Sequence, residues 1–504
     1  KISKSKSFKT KRMAEQNNKR RDFLKKSGVG ALGLMTSGTI LAAEDLPNVK
    51  KSTSSDKSEI IRTAHIGVGG MGAEDLKAMA SHPQVKVTAL CDVDAINLAT
   101  AHKNHPEARI FFDYRAMLKE LGDEIDAVVV STPDHSHAPA ALLAMKNQKP
   151  VYCQKPLTHY VSESREMRKM AADKNLVTQM GIQVHSFYDY KLATLLIQSG
   201  IIGKVHTVYA WSPKNWGYNG PEPEGSDPVP PQLDWNFWLG TAQERPYKDG
   251  FYHPGNWRKL VDYGCATLGD MGVHIFDTPY NALALDVPRT IKTDCRPPND
   301  FGYPEQNTVT YEFSGTKYTT DSLKWVWSDG PGAPILNEDL ILPDSETTNS
   351  KTNSAKNQSL ADKTSLDAGL ADEGKLPEQG AMFVGKKGRL LLPHFMQLPV
   401  KIKNGKYVNI NKEITKISEE YQLEAPVRDY QSESPKHYHE FIDACLGKGK
   451  TSAPFDYGSR LTETILLGVI AGRFPNQTLH WDTENARFKE EEANQYLEGT
   501  YRDF

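Results

Sequence analysis

From Ile61 onward, short runs of β-branched and apolar residues alternate with stretches whose apolar positions recur every three or four residues. The runs at 62–67, 85–91, 126–131, 150–153 and 176–180 read as strands, because each is brief, apolar and bounded by turn-forming residues. Strands separated by helical segments pair in parallel. Residues 61–185 therefore predict a doubly wound parallel sheet with helices on both faces. Beyond it the rhythm changes. A helix is expected around Tyr188–Gly200, then alternating patterns at 204–211, 307–313 and 317–325 without regular intervening helices. These predict an α+β domain over 186–504, built on an open, mainly antiparallel sheet and completed by helices near 436–446 and 459–472. Residues 345–368 are small and polar, and predict a mobile surface insertion. No internal repeat interrupts this order.

The first strand and first helix are joined by Gly67, Val68, Gly69, Gly70, Met71 and Gly72, and the second strand ends at Asp92. In a G-x-G-x-x-G turn the first glycine permits the tight bend. The second lets backbone approach a pyrophosphate, and the third lets helix and strand pack closely. Free amides at the helix start suit the phosphates, and an acid twenty residues on can accept from the ribose hydroxyls. The order of strand, turn, helix, strand and acid predicts a Rossmann-type dinucleotide site. A βαβ unit with a glycine-rich turn and no ligand is the alternative. Asp92 favours NAD over NADP, because a carboxylate repels a 2′-phosphate.

Charge changes the picture at the amino-terminal side. The chain carries a net −2, yet residues 1–43 hold eleven Lys or Arg against two Asp or Glu, which leaves −11 on the rest. An acidic body argues against nucleic acid as a partner. Lys19, Arg20, Arg21, Asp22, Phe23, Leu24 and Lys25 form a twin-arginine pattern, followed by a glycine-rich, weakly apolar stretch from Gly28 to Leu41. Residues 1–43 thus read as a signal region for twin-arginine export to the periplasm, with Met13 as initiator and 44–60 as linker; a basic tail is the alternative. That stretch is too short and small-residue-rich to read as a membrane span. Five scattered cysteines without C-x-x-C spacing predict neither a disulfide framework nor a zinc site.

Further chemistry is expected at the carboxyl ends of the later strands, where parallel sheets bind ligands. Thr132, Pro133 and His135 follow the fourth run and should border a cofactor; the H-x-H spacing of His135 and His137 could also suggest metal, but no matching ligands lie nearby, so cofactor contact or cap packing is the expectation for both. Gln154, Lys155 and Pro156 follow the next. The Lys155 ammonium could hydrogen-bond a substrate hydroxyl and favour its alkoxide, or it could be a surface lysine on a turn. Asp270 and His274 stand four apart and would share one helix face, where the carboxylate could orient the imidazole as a general base; a helix-surface hydrogen bond is the alternative. Five of the eight tryptophans fall between Trp211 and Trp257. Trp235 and Trp238 read as core, whereas Tyr252, His253, Trp257 and Arg258 could meet a substrate. Gln183 and His185 fall where the first domain hands over to the second, and could approach cofactor or substrate or pack a hinge.

Taken in order, the glycine turn, Thr132-Pro133-x-His135, Lys155-Pro156 and Asp270-x-x-x-His274 resemble the Gfo/Idh/MocA family (glucose–fructose oxidoreductase/inositol dehydrogenase). So do the stretches 380–394 and 437–450, which are similar to exported bacterial members. The resemblance implies a Rossmann domain, an α/β domain whose open sheet supports a homo-oligomer, and oxidation or reduction of a sugar or polyol hydroxyl with NAD(H) or NADP(H). It implies Lys155 as catalytic lysine, His274 as acid/base and Asp270 as its substrate-side partner. Gln154 departs from the family's usual Glu and alters the charge beside the lysine. Three functions stay open: a sugar-hydroxyl oxidoreductase with tightly held NAD; a redox-neutral, NAD-dependent glycosidase with a second base from 247–253; and a non-catalytic sugar-binding protein.

Overall fold

The computed structural model describes residues 59–343, 375–427 and 429–504. The signal reading of 1–43, most of the linker at 44–60 and the insertion at 345–368 lie outside them. Six strands form the first sheet: β1 (Ile61–Ile66), β2 (Val85–Cys91), β3 (Arg109–Phe111), β4 (Ala127–Val130), β5 (Val151–Gln154) and β6 (Thr178–Gly181). All pair in parallel, in the order β3-β2-β1-β4-β5-β6. Every residue of β4 and β5 is buried, as expected of strands covered by helices on both faces. Strand order reverses between β1 and β4, so their carboxyl ends open a crevice at the switch point. Of the six, β3 escaped the sequence pattern. It is a three-residue edge strand with no buried position, too short to carry a period.

The second sheet has ten strands: β7 (Val205–Ser212), β8 (Thr290–Asp294), β9 (Asn307–Ser314), β10 (Thr319–Asp329), β11 (Gly380–Gly385), β12 (Gly388–Pro393), β13 (Val400–Lys403), β14 (Lys406–Val408), β15 (Thr478–Asp482) and β16 (Arg487–Phe488). Their order is β14-β13-β12-β11-β7-β10-β9-β8-β15-β16, antiparallel throughout except for the parallel pair β7/β10. The alternating pattern located β7, β9 and β10 alone. β11 is buried along nearly its whole length, so it lacks the polar alternation that marks a one-sided strand. The helix Val273–Ala282 lies on β7 and β11 and carries the helix Tyr188–Gln198 on its other side. Phe276 anchors it, 4.4 Å from the Trp325 ring and 5.6 Å from that of Trp327. Burying an aromatic of this size contributes about 1.5–3 kcal/mol.

Two features bind the sheets around the crevice. The helices Pro435–Cys445 and Phe455–Ala471 pack back onto the helices Met71–Ala80 and Val161–Asp173 of the first sheet as well as onto the second region. The tryptophan-rich segment folds over the end of β2, where Asp234 N donates to Val93 O and Ala95 N donates to Gln232 O. There Trp235 and Trp238 stack at 4.7 Å within a cluster holding Tyr252 and Tyr263, the core role the sequence suggested for both tryptophans. Among the described residues no helix is long and apolar enough to cross a membrane. All five cysteines are unpaired.

Candidate active site

The glycine turn follows β1 at the switch point, and its glycines are constrained by different neighbours. Gly67 has φ +82°, and a Cβ there would lie 2.5 Å from the Ser131 carbonyl oxygen. A Cβ on Gly72 would lie 2.2 Å from the Gly67 carbonyl oxygen, so helix and turn close only over hydrogen. At Gly69 the obstruction is a side chain, with Asn97 Nδ2 at 2.3 Å. Asp92 accepts from Val68 N and Asp94 N, both at 2.9 Å, which fixes its carboxylate against the turn.

Beneath the turn lies a group that the sequence reading missed. Asp75, fully buried on the helix Met71–Ala80, accepts from Ser131 Oγ at 2.6 Å, from Tyr438 Oη at 2.6 Å and from Gln154 Nε2 at 2.8 and 2.9 Å. Tyr438 Oη in turn accepts from Gln183 Nε2 at 2.8 Å. One carboxylate thus gathers the loops after β4, β5 and β6 and the helix Pro435–Cys445. Burial pushes its pKa up to about 6, with those donors holding it down. The same contact accounts for Gln154: a Glu would set a second carboxylate against Asp75. The signal was an acid at the helix's inward-facing position, with Gly72, Leu76 and Met79 on the same buried face.

The two histidines after β4 stand in the first turn of the helix Asp134–Lys146, and both pack against backbone carbonyls, His137 at the cavity lining. His135 Nε2 is 3.1 Å from Trp238 O and its ring sits 5.2 Å from that of Tyr263, so it takes the cap-packing role and does not reach the crevice as a cofactor contact would require. The ring nitrogens of His137 lie 2.8 Å from the carbonyl oxygens of Thr132 and Pro156. Burial pushes it down to about 4, so the neutral ring donates to one carbonyl at a time and ties the two loops. Among the described residues no His/Cys/Asp/Glu group could hold a metal ion.

Across the crevice stands a charged cluster. Lys155 Nζ donates to Asp270 Oδ1 at 2.8 Å and to Asp270 O at 3.0 Å. Trp216 Nε1 donates to Asp270 Oδ2 at 2.7 Å, and Arg258 Nε lies 3.4 Å from Oδ1. Burial opposes ionisation of Asp270, yet Lys155 and Arg258 hold its carboxyl well below the usual range. Asp270 sits in a π-helical turn, Leu268–Gly272, that runs into the helix Val273–Ala282. π-turns often mark functional sites. Here it gives the carboxylate to the lysine and not to the imidazole, so the expected Asp270–His274 hydrogen bond is absent. His274 Nδ1 is buried without a partner among the described residues. Burial first, then Lys155 and His394, push the His274 pKa well below 6.5, so the ring is neutral.

One cavity of about 860 Å³ unites these parts. From the sequence reading it collects Gly67, Gly69, Gly70, Met71, Asp92 and His253 at one end, Thr132, Pro133, Gln154 and Gln183 along the floor, and Lys155, Trp257, Arg258, Asp270 and His274 on the far wall. Thr132 Oγ1 is buried on this floor without a described partner, an open position for a ligand atom. Gly72, His135, His185 and Tyr252 lie outside. His185 Nδ1 instead binds Asp277 Oδ1 at 2.8 Å behind the wall, and Tyr252 is buried among aromatics. His253 Nε2 is 3.3 Å from Asp94, so it closes the Asp92 end and is not beside Lys155. Asp134, Lys214 and His394 also line the cavity and were given no role in sequence, because they come from three distant segments that meet only in the fold.

A glycine turn at a parallel switch point, joined by one cavity to a Lys–Asp pair and a neutral histidine, defines a Rossmann-type dinucleotide-binding fold whose crevice runs on into a charged cluster. The family model described as an oxidoreductase family with an NAD-binding Rossmann fold matches residues 61–182, and its companion for the C-terminal alpha/beta domain matches 188–315. The chain belongs to the Gfo/Idh/MocA family. It is 28% identical over 206 residues to Glycosyl hydrolase family 109 protein 1 of Shewanella sp. strain ANA-3, covering 38% of this chain and 44% of that protein. It is 25% identical over 175 residues to the uncharacterized oxidoreductase YrbE of Bacillus subtilis, covering 35% of this chain and 47% of YrbE. The chain thus spans less than half the length of these curated relatives. Levoglucosan dehydrogenase in complex with NADH and levoglucosan shares the fold at 15% identity and a TM-score of 0.53, over 84% of this chain and 99% of that one. So does myo-inositol dehydrogenase from Lactobacillus casei in complex with NAD(H) and myo-inositol, at 14% and 0.50, over 84% and 97%.

Proposed function

We propose that this protein oxidises or reduces a hydroxyl-bearing carbon of a sugar, polyol or glycoside with NAD(H). The observation that carries the reading is the shared cavity, which sets Lys155 and His274 on the far side from the glycine turn. Bound NAD would supply the two-electron acceptor or donor. Gly67, Gly69, Gly70 and Met71 would hold its pyrophosphate, and Thr132 and Gln183 would lie along its path. Asp92 would receive the adenosine ribose hydroxyls and disfavour a 2′-phosphate, which makes NAD the fitting cofactor. His274, neutral at physiological pH, takes the substrate hydroxyl proton. Lys155 donates a hydrogen bond to the oxygen as negative charge develops there, with Asp270 fixing the ammonium. The Asp277-bound His185 and the core residue Tyr252 have no part in this step.

A redox-neutral glycoside cleavage, suggested by the glycosyl hydrolase relatives, needs a second base for a carbon-bound proton. Tyr247 and Tyr252 are buried away from the cavity, whereas the His394 ring lies 6.2 Å from that of His274 and burial pushes it down to about 4, leaving it neutral. His394 is the group that would serve. One experiment separates the readings: purify without added cofactor, identify nucleotide released on denaturation, then follow NADH absorbance and phenol release on free sugars and aryl glycosides. NADH or a keto-sugar without bond cleavage supports the oxidoreductase; phenol without net NADH supports the glycosidase. Bound nucleotide with neither product returns the protein to a binding role.

A further inference from the structure

The substrate-facing wall carries more positive charge than it neutralises. Lys155, Arg258 and Lys214 all line it, and all three act on the single carboxylate of Asp270. That carboxylate is already engaged on both oxygens by Lys155 and Trp216. Asp134, the other acid on this stretch of wall, is pushed up to about 7 by burial and is thus only partly ionised at neutral pH. His274 and His394 are neutral and add no counter-charge. Lys214 is exposed at the rim and forms no ion pair with a described residue, while its field reaches His274 and His394. The Arg258 guanidinium is laid over Trp257 with its carbon 4.4 Å from the ring centroid, and 5.7 Å from that of Trp216. Two indoles flank the guanidinium, Nε faces Asp270 at 3.4 Å, and no nitrogen of the fork donates a hydrogen bond to a described residue, so its donors remain open to a ligand.

A neutral sugar would leave this excess uncompensated between low-dielectric walls, where fixed charges act strongly. We propose that the substrate carries a carboxylate, as in a hexuronic acid or its glycoside, seated between Arg258 and Lys214. A planar carboxylate suits the guanidinium fork, and Lys214 supplies the second charge at the rim. The inference rests on the sugar-oxidoreductase reading for its sugar, but its charge preference is measured without turnover.

The test is equilibrium binding to NAD-loaded protein, read by the fluorescence of the tryptophans that flank Arg258. The probes are galacturonate and glucuronate, their methyl esters, and galactose and glucose. Each free uronate should bind about tenfold tighter than its own ester, an advantage that shrinks as salt rises. Lys214→Gln, a rim substitution compatible with folding, should bring the acid-to-ester ratio near one, and Arg258→Gln should do likewise. Equal or weaker binding of the acids overturns the proposal, as does a ratio that survives both substitutions. Selective binding of uronates without nucleotide-dependent turnover would defeat the oxidoreductase reading and leave this one standing. Turnover of neutral sugars with no charge preference would do the reverse.

Discussion

Asp75 under the glycine turn and Asp270 beside Lys155 are both largely buried carboxylates near one cavity, yet their surroundings are opposite. Asp75 is met by neutral donors: a serine, a glutamine amide and a tyrosine. They satisfy it without cancelling its charge, and burial leaves it pushed up to about 6. Asp270 is met by an ammonium, a guanidinium and an indole N–H, and is held far into its ionised form. The first arrangement holds the scaffold in register, since its donors come from three elements: the loop after β4, the end of β5 and the helix Pro435–Cys445. The second fixes charges that face a ligand and leaves His274 Nδ1 unpartnered beside them. A scaffold can satisfy its polar groups internally; a site for chemistry must leave some for the substrate.

The sharpest way to test that contrast is at the unpartnered group. His274→Asn should lower kcat by about 10²–10⁴-fold in steady-state assays while the melting temperature changes little. Because a base works in its neutral form and this imidazole is pushed well below 6.5, wild-type kcat/KM should hold steady as pH falls through 6.5. Its acid limb should appear only at lower pH. A limb centred at 6.5 or above would assign the proton to another group. On the cavity floor, Gln154→Glu sets two carboxylates against each other and should cost about 1–3 kcal/mol in denaturant unfolding. The double variant Asp75→Asn with Gln154→Glu restores one carboxylate and one amide, and should recover more than half of that loss. No recovery would mean that the pair is not coupled. The smallest effect is expected from Tyr438→Phe, which removes the hydrogen bonds to Asp75 and from Gln183 and should cost about 1–2 kcal/mol of stability with kcat within about twofold of wild type.

Much of the cofactor crevice was legible because its parts are contiguous: five of six parallel strands, the glycine turn and Asp92 all fall in one uninterrupted pattern. Lys155, Asp270 and His274 could be named, but not their pairing, because four-residue spacing assumes an α-helix and Asp270 sits in a π-turn that hands its carboxylate to Lys155. Asp75 and Tyr438 stand 363 residues apart and meet only once the chain closes. The H-x-H spacing of His135 and His137 suggested a shared role, yet successive side chains on a helix diverge, so one packs against Trp238 and the other bridges two loops. Lys214 sits in a segment without a motif, and His394 ends the recognisable stretch 380–394, whose pattern marks a strand pair and not a site.

The unequal locks on the glycine turn have an evolutionary consequence. At positions 67 and 72 a side chain would strike carbonyl oxygens of the backbone, so no single change elsewhere could make room. At position 69 it would strike Asn97, which can itself be exchanged. Among descendants of this sequence, 67 and 72 should stay invariant on packing grounds alone, whereas 69 should change only where residue 97 is smaller and the pyrophosphate is no longer bound.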